Sequence, residues 1–223
     1  MMSMSPVLAA GVGVRHGGSL ALRSASFRMD APAAGGSALG IAIARADAAT
    51  AVVDLLAGLA RPSYGELRVL GEDLTTAHGR TAVRRNVGVA RGKSRPTPAF
   101  RVRGLVEHAA RLTRLPRCDR HLLAAAILDR LALTAWAQVP LRSAPDAICR
   151  RARLAAAAVH EPSLLLLDGL LDDLAPRDAG ALADGIRDLG RDTAIIAVGR
   201  DASALALACD EVITLADGIL VSC

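Results

Sequence analysis

A continuous apolar run that leads directly into a helical pattern is the feature that most constrains the fold of this chain. Residues 37–44 are apolar without polar alternation, which is the pattern of a strand buried on both faces. Residues 47–57 follow with apolar positions at helical spacing, and Gly58 and Pro62 stop this pattern. The junction therefore predicts a βα unit, in which a strand of a covered sheet is followed by a helix.

The rest of the chain extends this α/β pattern. Two β-type runs, residues 7–14 and 21–28, bracket Gly17 and Gly18 and predict a hairpin. Further strands are predicted at 66–69, 86–90, 164–167, 193–198, 211–215 and 219–221, and helices at 105–112, 121–131, 147–160, 179–189 and 202–208. The pattern predicts an α/β fold with a helical insertion between two α/β parts.

Composition limits the classes of function. Hydrophobic residues make up 52% of the 223 residues but aromatic residues only 2%, so the core must be built from alanine, leucine, valine and isoleucine. Four scattered aromatic residues cannot form a stacking platform for single-stranded nucleic acid, and no specific nucleic-acid partner is expected. The formal net charge of +5 comes almost entirely from arginine, which is also what an arginine-for-lysine bias would produce.

The four cysteines show no paired spacing suited to zinc, and we interpret them as small buried residues in a reducing compartment. The N-terminal residues lack the basic and apolar regions of a signal peptide. No uncharged apolar run reaches the roughly 18 residues needed to cross a bilayer. We therefore expect a cytoplasmic chain, peripheral to the inner face of the cell membrane only through a partner.

A series of short segments carries a resemblance to a known family. They are DLLAGLARP at 54–62, GEL at 65–67, GED at 71–73, NVGV at 86–89, RLAAA at 153–157, HEP at 160–162, LLLLD at 164–168 and CDEVI at 209–213. In this order and spacing they resemble the nucleotide-binding subunit of ATP-binding cassette (ABC) transporters over almost the whole chain. The resemblance implies an α/β fold with an ABC-type P-loop NTPase-like core, an antiparallel β subdomain and a helical insertion.

The resemblance also implies a domain organisation. Residues 1–223 are expected to form a single ABC-type domain. Its core and β subdomain would comprise residues 1–95 and 154–223, and its helical subdomain about residues 96–153.

The phosphate-binding loop implied by the resemblance falls at residues 43–50. Such a loop needs glycines, because its backbone N–H groups converge on phosphate, and a lysine that reaches the outer phosphates. Neither is present, since the segment preceding Thr50 consists of Ile43, Ala44, Arg45, Ala46, Asp47, Ala48 and Ala49. Ala49 stands at the lysine position, Asp47 adds a negative charge, and Thr50 keeps the magnesium-ligand position. The N-terminus of the following helix would contribute only about 1 kcal/mol to anion binding.

The other positions that the family uses are also altered. Asp168 matches the Walker B aspartate, but Gly169 stands where the catalytic glutamate is expected, and glycine cannot act as a general base. The remaining positions are Gly92 for the Q-loop glutamine, residues 144–148 for the signature loop, Ala175 for the D-loop aspartate, Arg200 or Gly199 for the switch histidine, and His16 for the adenine-stacking aromatic. No catalytic residue is therefore predicted.

Thr50 and Asp168 are the two positions from which a magnesium site would be built, because the family brings them together. Two oxygen ligands without substrate phosphates make a poor site for Mg²⁺. We interpret Thr50 as a cap or helix-surface hydroxyl and Asp168 as the end of a strand that bonds to backbone. ATP and Mg²⁺ are expected as cofactors only if a vestigial site survives.

Two charged regions accompany these motifs. Residues 80–103 hold eight basic side chains, which would serve a permease or anionic lipid or would form a solvated face. Asp168, Asp172 and Asp173 form an acidic cluster, which we interpret as a solvated loop edge.

Three hypotheses follow. In the first, the chain is a non-hydrolysing cassette that acts as a structural or regulatory partner of a membrane permease, of a second, active cassette in a dimer, or of both. In the second, it is a functional ABC ATPase with atypical motifs. In the third, it has drifted and has no selected function, although the intact apolar pattern favours a chain that still folds.

Overall fold

The computed structural model describes residues 5–16, 19–29, 37–93, 100–113, 115–216 and 219–221. Its strands are β1 Val7–His16, β2 Ser19–Met29, β3 Ala38–Ile43, β4 Tyr64–Val69, β5 Glu72–Asp73, β6 Val87–Arg91, β7 Leu164–Asp168, β8 Ala194–Gly199, β9 Glu211–Ala216 and β10 Ile219–Val221. Its α-helices are α1 Ala46–Leu56, α2 Ala77–Asn86, α3 Val102–Leu112, α4 Arg117–Arg130, α5 Asp146–Ala158, α6 Pro176–Leu189 and α7 Ala202–Ala206. Short 3-10 helices occur at Thr134–Trp136 and Leu141–Ser143.

The strands form two sheets. An antiparallel sheet has the order β2-β1-β4-β5, and its β1–β2 pairing, which places His16 opposite Ser19, confirms the predicted hairpin. Gly17 and Gly18 themselves lie outside the described residues. The second sheet has the order β10-β9-β3-β8-β7-β6 and is parallel except for the β9–β10 pair. The predicted α/β architecture is therefore confirmed.

The core lies on both faces of the parallel sheet. Side chains alternate between the two faces of a strand, and all five residues of β7 are buried. Leu165 and Leu167 pack in the cluster formed with α3 to α6, whereas Leu164 and Leu166 pack in the cluster formed with α1 and the antiparallel sheet. This burial explains why β7 is a continuous apolar run rather than an alternating one.

Helix α1 contacts the strands of both sheets. It follows β3 after only two intervening residues, so the predicted βα unit is confirmed. Since β3, β6, β7 and β8 run in parallel, their carboxyl ends and the start of α1 lie at one edge of the sheet. This edge carries the residues singled out by the sequence.

Helix α2 was not predicted. Only Gly79 and Val83 are buried on it, so it has too few apolar positions to give a helical pattern. A capping signal was available, because the Thr76 side chain accepts a hydrogen bond of 3.0 Å from the Gly79 N–H. Arg84 and Arg85 in the last turn also suit a helix C-terminus.

No helix among the described residues is both long enough and apolar enough to cross a membrane.

Candidate functional site

Asp168 and Thr50 lie in direct contact at the carboxyl edge of the parallel sheet. Asp168 is the last residue of β7, and Thr50 lies in the second turn of α1. The Thr50 hydroxyl donates a 3.0 Å hydrogen bond to Oδ2 of Asp168. The juxtaposition implied by the family is therefore present. Asp168 ends a strand, as we expected, but its side chain bonds to Thr50, so our interpretation of Thr50 as a cap or helix-surface hydroxyl is wrong.

Arg91 joins this pair, which the sequence did not indicate. It ends β6 and lies opposite Asp168 in the parallel register. Its Nη1 lies 2.8 Å from Oδ2 of Asp168, and its Nη2 contacts Oδ1 of Asp54 on α1. Burial raises the pKa of the Asp168 carboxyl, and the Thr50 hydrogen bond and the Arg91 charge oppose that rise. One guanidinium thus connects α1, β6 and β7.

The backbone following β6 packs directly against the backbone following β7. The Gly92 N–H donates a 2.8 Å hydrogen bond to the Asp168 carbonyl, and Arg153 donates one of 2.6 Å to the Gly92 carbonyl. A Cβ atom on Gly92 would lie 2.1 Å from the Gly169 carbonyl oxygen. Gly169 has φ +59°, which favours glycine. The two glycines therefore permit a contact that side chains at position 92 would prevent.

The segment aligned with a phosphate-binding loop is mostly helical. Helix α1 begins at Ala46, so the turn from β3 consists of Ala44 and Arg45 alone. The Ala49 N–H already bonds to the Arg45 carbonyl within the helix, and Ala48 and Ala49 are buried. The Ala49 N–H is therefore not available to an anion.

A carboxylate occupies the N-terminus of α1. Asp47 is exposed and accepts hydrogen bonds from Arg45, at 3.2 Å from Nε and 2.5 Å from Nη2. The Arg45 hydrogen bond is the main cause that lowers the pKa of Asp47, and a bond from the Ala48 backbone adds to it. The carboxylate at this helix end is therefore paired with the Arg45 guanidinium.

We interpreted the acidic cluster after β7 as a solvated loop edge, and this interpretation is wrong. Asp168 and Asp172 are buried, and only Asp173 has a substantially exposed side chain. Arg200 donates from its backbone N to Oδ1 of Asp172 at 2.9 Å and contacts Asp173 through Nη2 at 2.5 Å. Lys93 lies 3.1 Å from Asp173. Arg200, one of the two positions expected for the switch histidine, therefore pairs with the loop after β7.

The other predicted positions are spread around this edge. Gly199 ends β8, and a Cβ atom there would approach Oδ1 of Asp172 at 2.8 Å. In the segment aligned with the signature loop, Pro145 precedes α5 and Asp146 begins it. Ala175 immediately precedes α6. His16 ends β1, and its side chain lies outside what the structure describes.

Several arginines of the 80–103 stretch are engaged within the chain. Arg80 donates to the Leu74 and Thr75 carbonyls at 2.9 and 3.0 Å, and Arg84 donates to the Gly58 carbonyl at 3.2 Å. Together with Arg91, these residues do not form a freely solvated face. Arg95 lies outside the described residues.

The space left above Thr50 is a cavity of about 210 Å³. Pockets that hold small organic ligands usually have about 300–1,000 Å³. The lining residues are Ala46, Ala49, Thr50, Arg91, Lys93, Asp168, Gly169 and Asp172. Among the described residues, no group of three or more histidine, cysteine, aspartate or glutamate side chains is placed to hold a metal ion.

Comparisons with known proteins agree with this architecture. The chain is 27% identical over 171 residues to the methionine import ATP-binding protein MetN 2 of Burkholderia mallei and, separately, to that of Burkholderia pseudomallei. The aligned part is 75% of this chain but 43% of each relative, so the chain spans less than half of their length.

A solved structure and a family match complete the comparison. The structure of CbiO1 from Clostridium perfringens, described as part of the ABC transporter complex CbiONQ, has a TM-score of 0.80 with 19% sequence identity. The match covers 98% of this chain and 87% of CbiO1, and it confirms the predicted fold with an antiparallel β subdomain. The sequence model of the family described as ABC transporter matches residues 49–171, more than half of the chain. This chain therefore belongs to the ABC transporter family and has the fold of its ATP-binding domain.

Proposed function

We propose that this chain is a non-hydrolysing cassette, which acts as a structural or regulatory partner of a permease or of an active cassette. The observation that carries the proposal is the state of the Walker B aspartate. Both the Thr50 hydroxyl and the Arg91 guanidinium bond to Oδ2 of Asp168. The carboxylate is thus already neutralised by the protein.

The residues present do not fit Mg²⁺-bound ATP. Triphosphate binding needs converging backbone N–H groups and a cation, but α1 begins at Ala46 and Ala49 offers only a buried methyl group. At the same helix end Arg45 is paired with the Asp47 carboxylate, so this pair adds no net positive charge that would attract phosphate. We infer that the energy lost with the loop and the lysine exceeds what the remaining helix dipole supplies.

The groups needed to activate an attacking water are missing as well. Gly169 has no side chain to accept a proton, and its carbonyl packs on Gly92. Arg200, at the switch position, is held by Asp172 and Asp173. These contacts favour the first hypothesis over an ATPase with atypical motifs.

We expect purified protein to show no saturable binding of a fluorescent ATP analogue at micromolar concentrations in the presence of Mg²⁺, and no ATP turnover above a blank. The matched control is Asp168→Asn, because a contaminating ATPase gives the same rate in both preparations. Turnover that disappears in Asp168→Asn would establish the alternative of a working ATPase, and micromolar binding by the wild type would favour a working nucleotide site.

A groove between α3, α5 and β6 is the surface that we assign to the permease. It has a volume of about 350 Å³ and is mainly apolar, and Leu59 at its rim is 57% exposed. It is lined by Leu59, Val89, Ala90, Arg91, Leu105, Ala109, Arg153, Ala156 and Ala157. The family resemblance places a cytoplasmic helix of the membrane subunit beside this region, and an apolar groove fits the apolar face of an amphipathic helix.

Leu59→Asp is expected to reduce co-purification with a co-expressed permease subunit at least tenfold, because it puts a charge into the apolar contact. Leu207→Asp is the matched control, since Leu207 is 42% exposed beyond α7 and does not line the groove. Equal losses for both variants, or none for Leu59→Asp, would place the permease elsewhere on the chain.

A further inference from the structure

We propose that Arg91 is a built-in counter-ion: its guanidinium holds the carboxylates of Asp54 and Asp168 together where a divalent cation would otherwise bridge oxygen ligands. This edge of the sheet is then assembled without metal or nucleotide. This inference deepens the proposed function, and it rests on that function for the view that the site works without bound nucleotide.

Arg91 contacts two carboxylates with two different nitrogen atoms. Asp54 on α1 and Asp168 on β7 face the same guanidinium, which reaches one with Nη2 and the other with Nη1. A guanidinium is planar, always charged and weakly hydrated, so it suits a partly buried site that needs two directed bonds. The Asp168 side chain is only 11% exposed and those of Asp54 and Arg91 are 26% and 29% exposed.

The positive charge of Arg91 balances the negative charges of Asp54 and Asp168. Without Arg91, two carboxylates would face each other in a partly buried place, and a lone buried charge is costly. Lys93 lines the same cavity, but it is 64% exposed and pairs with Asp173. Asp172 is paired with Arg200. Among the described residues, Arg91 is therefore the cation that contacts Asp54 and Asp168.

The backbone around Arg91 and Asp168 is closely packed. The Gly92 N–H bonds to the Asp168 carbonyl, and Gly92 packs on the Gly169 carbonyl. This close packing holds the end of β6 on the end of β7, where Arg91 meets Asp168. Arg91, Gly92 and Gly169 thus belong to one contact between the end of β6 and the end of β7.

The test compares Arg91→Met with Lys93→Met by thermal unfolding without nucleotide. We expect Tm to fall by about 5 °C or more in Arg91→Met, where a partly buried pair is broken, and by less than about 2 °C in Lys93→Met. Adding Asp168→Asn to Arg91→Met is expected to recover part of the loss, because it removes the stranded charge. Equal falls in the two single variants, or additive losses in the double variant, would overturn the proposal.

Addition of Mn²⁺ tests whether the Arg91 guanidinium takes the place of a divalent cation. Millimolar Mn²⁺ is expected to raise Tm of Arg91→Met, in which oxygens of Asp54, Asp168 and Thr50 become available, and to leave the wild type and Arg91→Met/Asp168→Asn unchanged. No rise in Arg91→Met, or an equal rise in the wild type, would refute the equivalence. Because no ATP is present, these results are independent of the nucleotide measurements: ATP turnover by the wild type would refute the proposed function alone.

Discussion

Gly92→Gln is expected to lower the free energy of unfolding by about 3 kcal/mol, although it introduces the side chain that the family resemblance calls for at this position. A Cβ atom would lie 2.1 Å from the Gly169 carbonyl oxygen, so the two loops must move apart. Overpacking of this kind costs about 1–3 kcal/mol. The movement also strains the hydrogen bonds of the Gly92 N–H and carbonyl, each worth about 1 kcal/mol.

The same substitution at Gly180 is the control for Gly92→Gln. Gly180 lies within α6, and nothing lies within 4 Å of a Cβ atom placed there. Gly180→Gln is therefore expected to raise stability by up to about 1 kcal/mol, since glycine is a poor helix former. Urea unfolding of both variants measures the difference. If Gly92→Gln were as stable as the wild type, the loops would not be packed as described, and the glutamine position would remain open for function.

Much of the fold followed from apolar periodicity. Strand β7 and the junction of β3 with α1 are deeply buried, and burial forces the sequence to carry a clear signal. Helix α2 buries only Gly79 and Val83, so its formation depends on the Thr76 cap and on tertiary contacts that periodicity does not register.

The site was predictable only in part. The family resemblance placed Thr50 beside Asp168, as observed. The role of Arg91 was missed, because it depends on the parallel register of β6 with β7, which sets Arg91 opposite Asp168. The burial of Asp172 was also missed, because its partner Arg200 lies 28 residues further along the chain. Charged contacts between distant segments leave no local pattern in the sequence.

Arg150→Met is expected to lower the free energy of unfolding by about 2–6 kcal/mol, because two buried carbonyls lose their hydrogen-bond donor. Arg150 is 5% exposed on α5, and its Nη1 donates to the carbonyls of Leu170 at 3.0 Å and Asp172 at 2.5 Å, with Gly169 at 3.3 Å. The segment after β7 is thus folded around one guanidinium. Methionine fills a similar volume but removes the Arg150 donor from the Leu170 and Asp172 carbonyls, and each unpaired group costs about 1–3 kcal/mol.

Two variants separate this effect from loss of a surface ion pair. The Nε of Arg150 also bonds to Asp146 at 2.7 Å, but the Asp146 side chain is 60% exposed, so Asp146→Asn should cost less than about 1 kcal/mol. Arg191→Met, at a side chain 80% exposed, should cost about as little. Urea unfolding decides the matter: if Arg150→Met lost no more than these two, the carbonyl contacts would not hold the loop. A large loss confined to Arg150 would mean that this chain fixes the loop after β7 from within, and such a loop has no need of a bound nucleotide to define its shape.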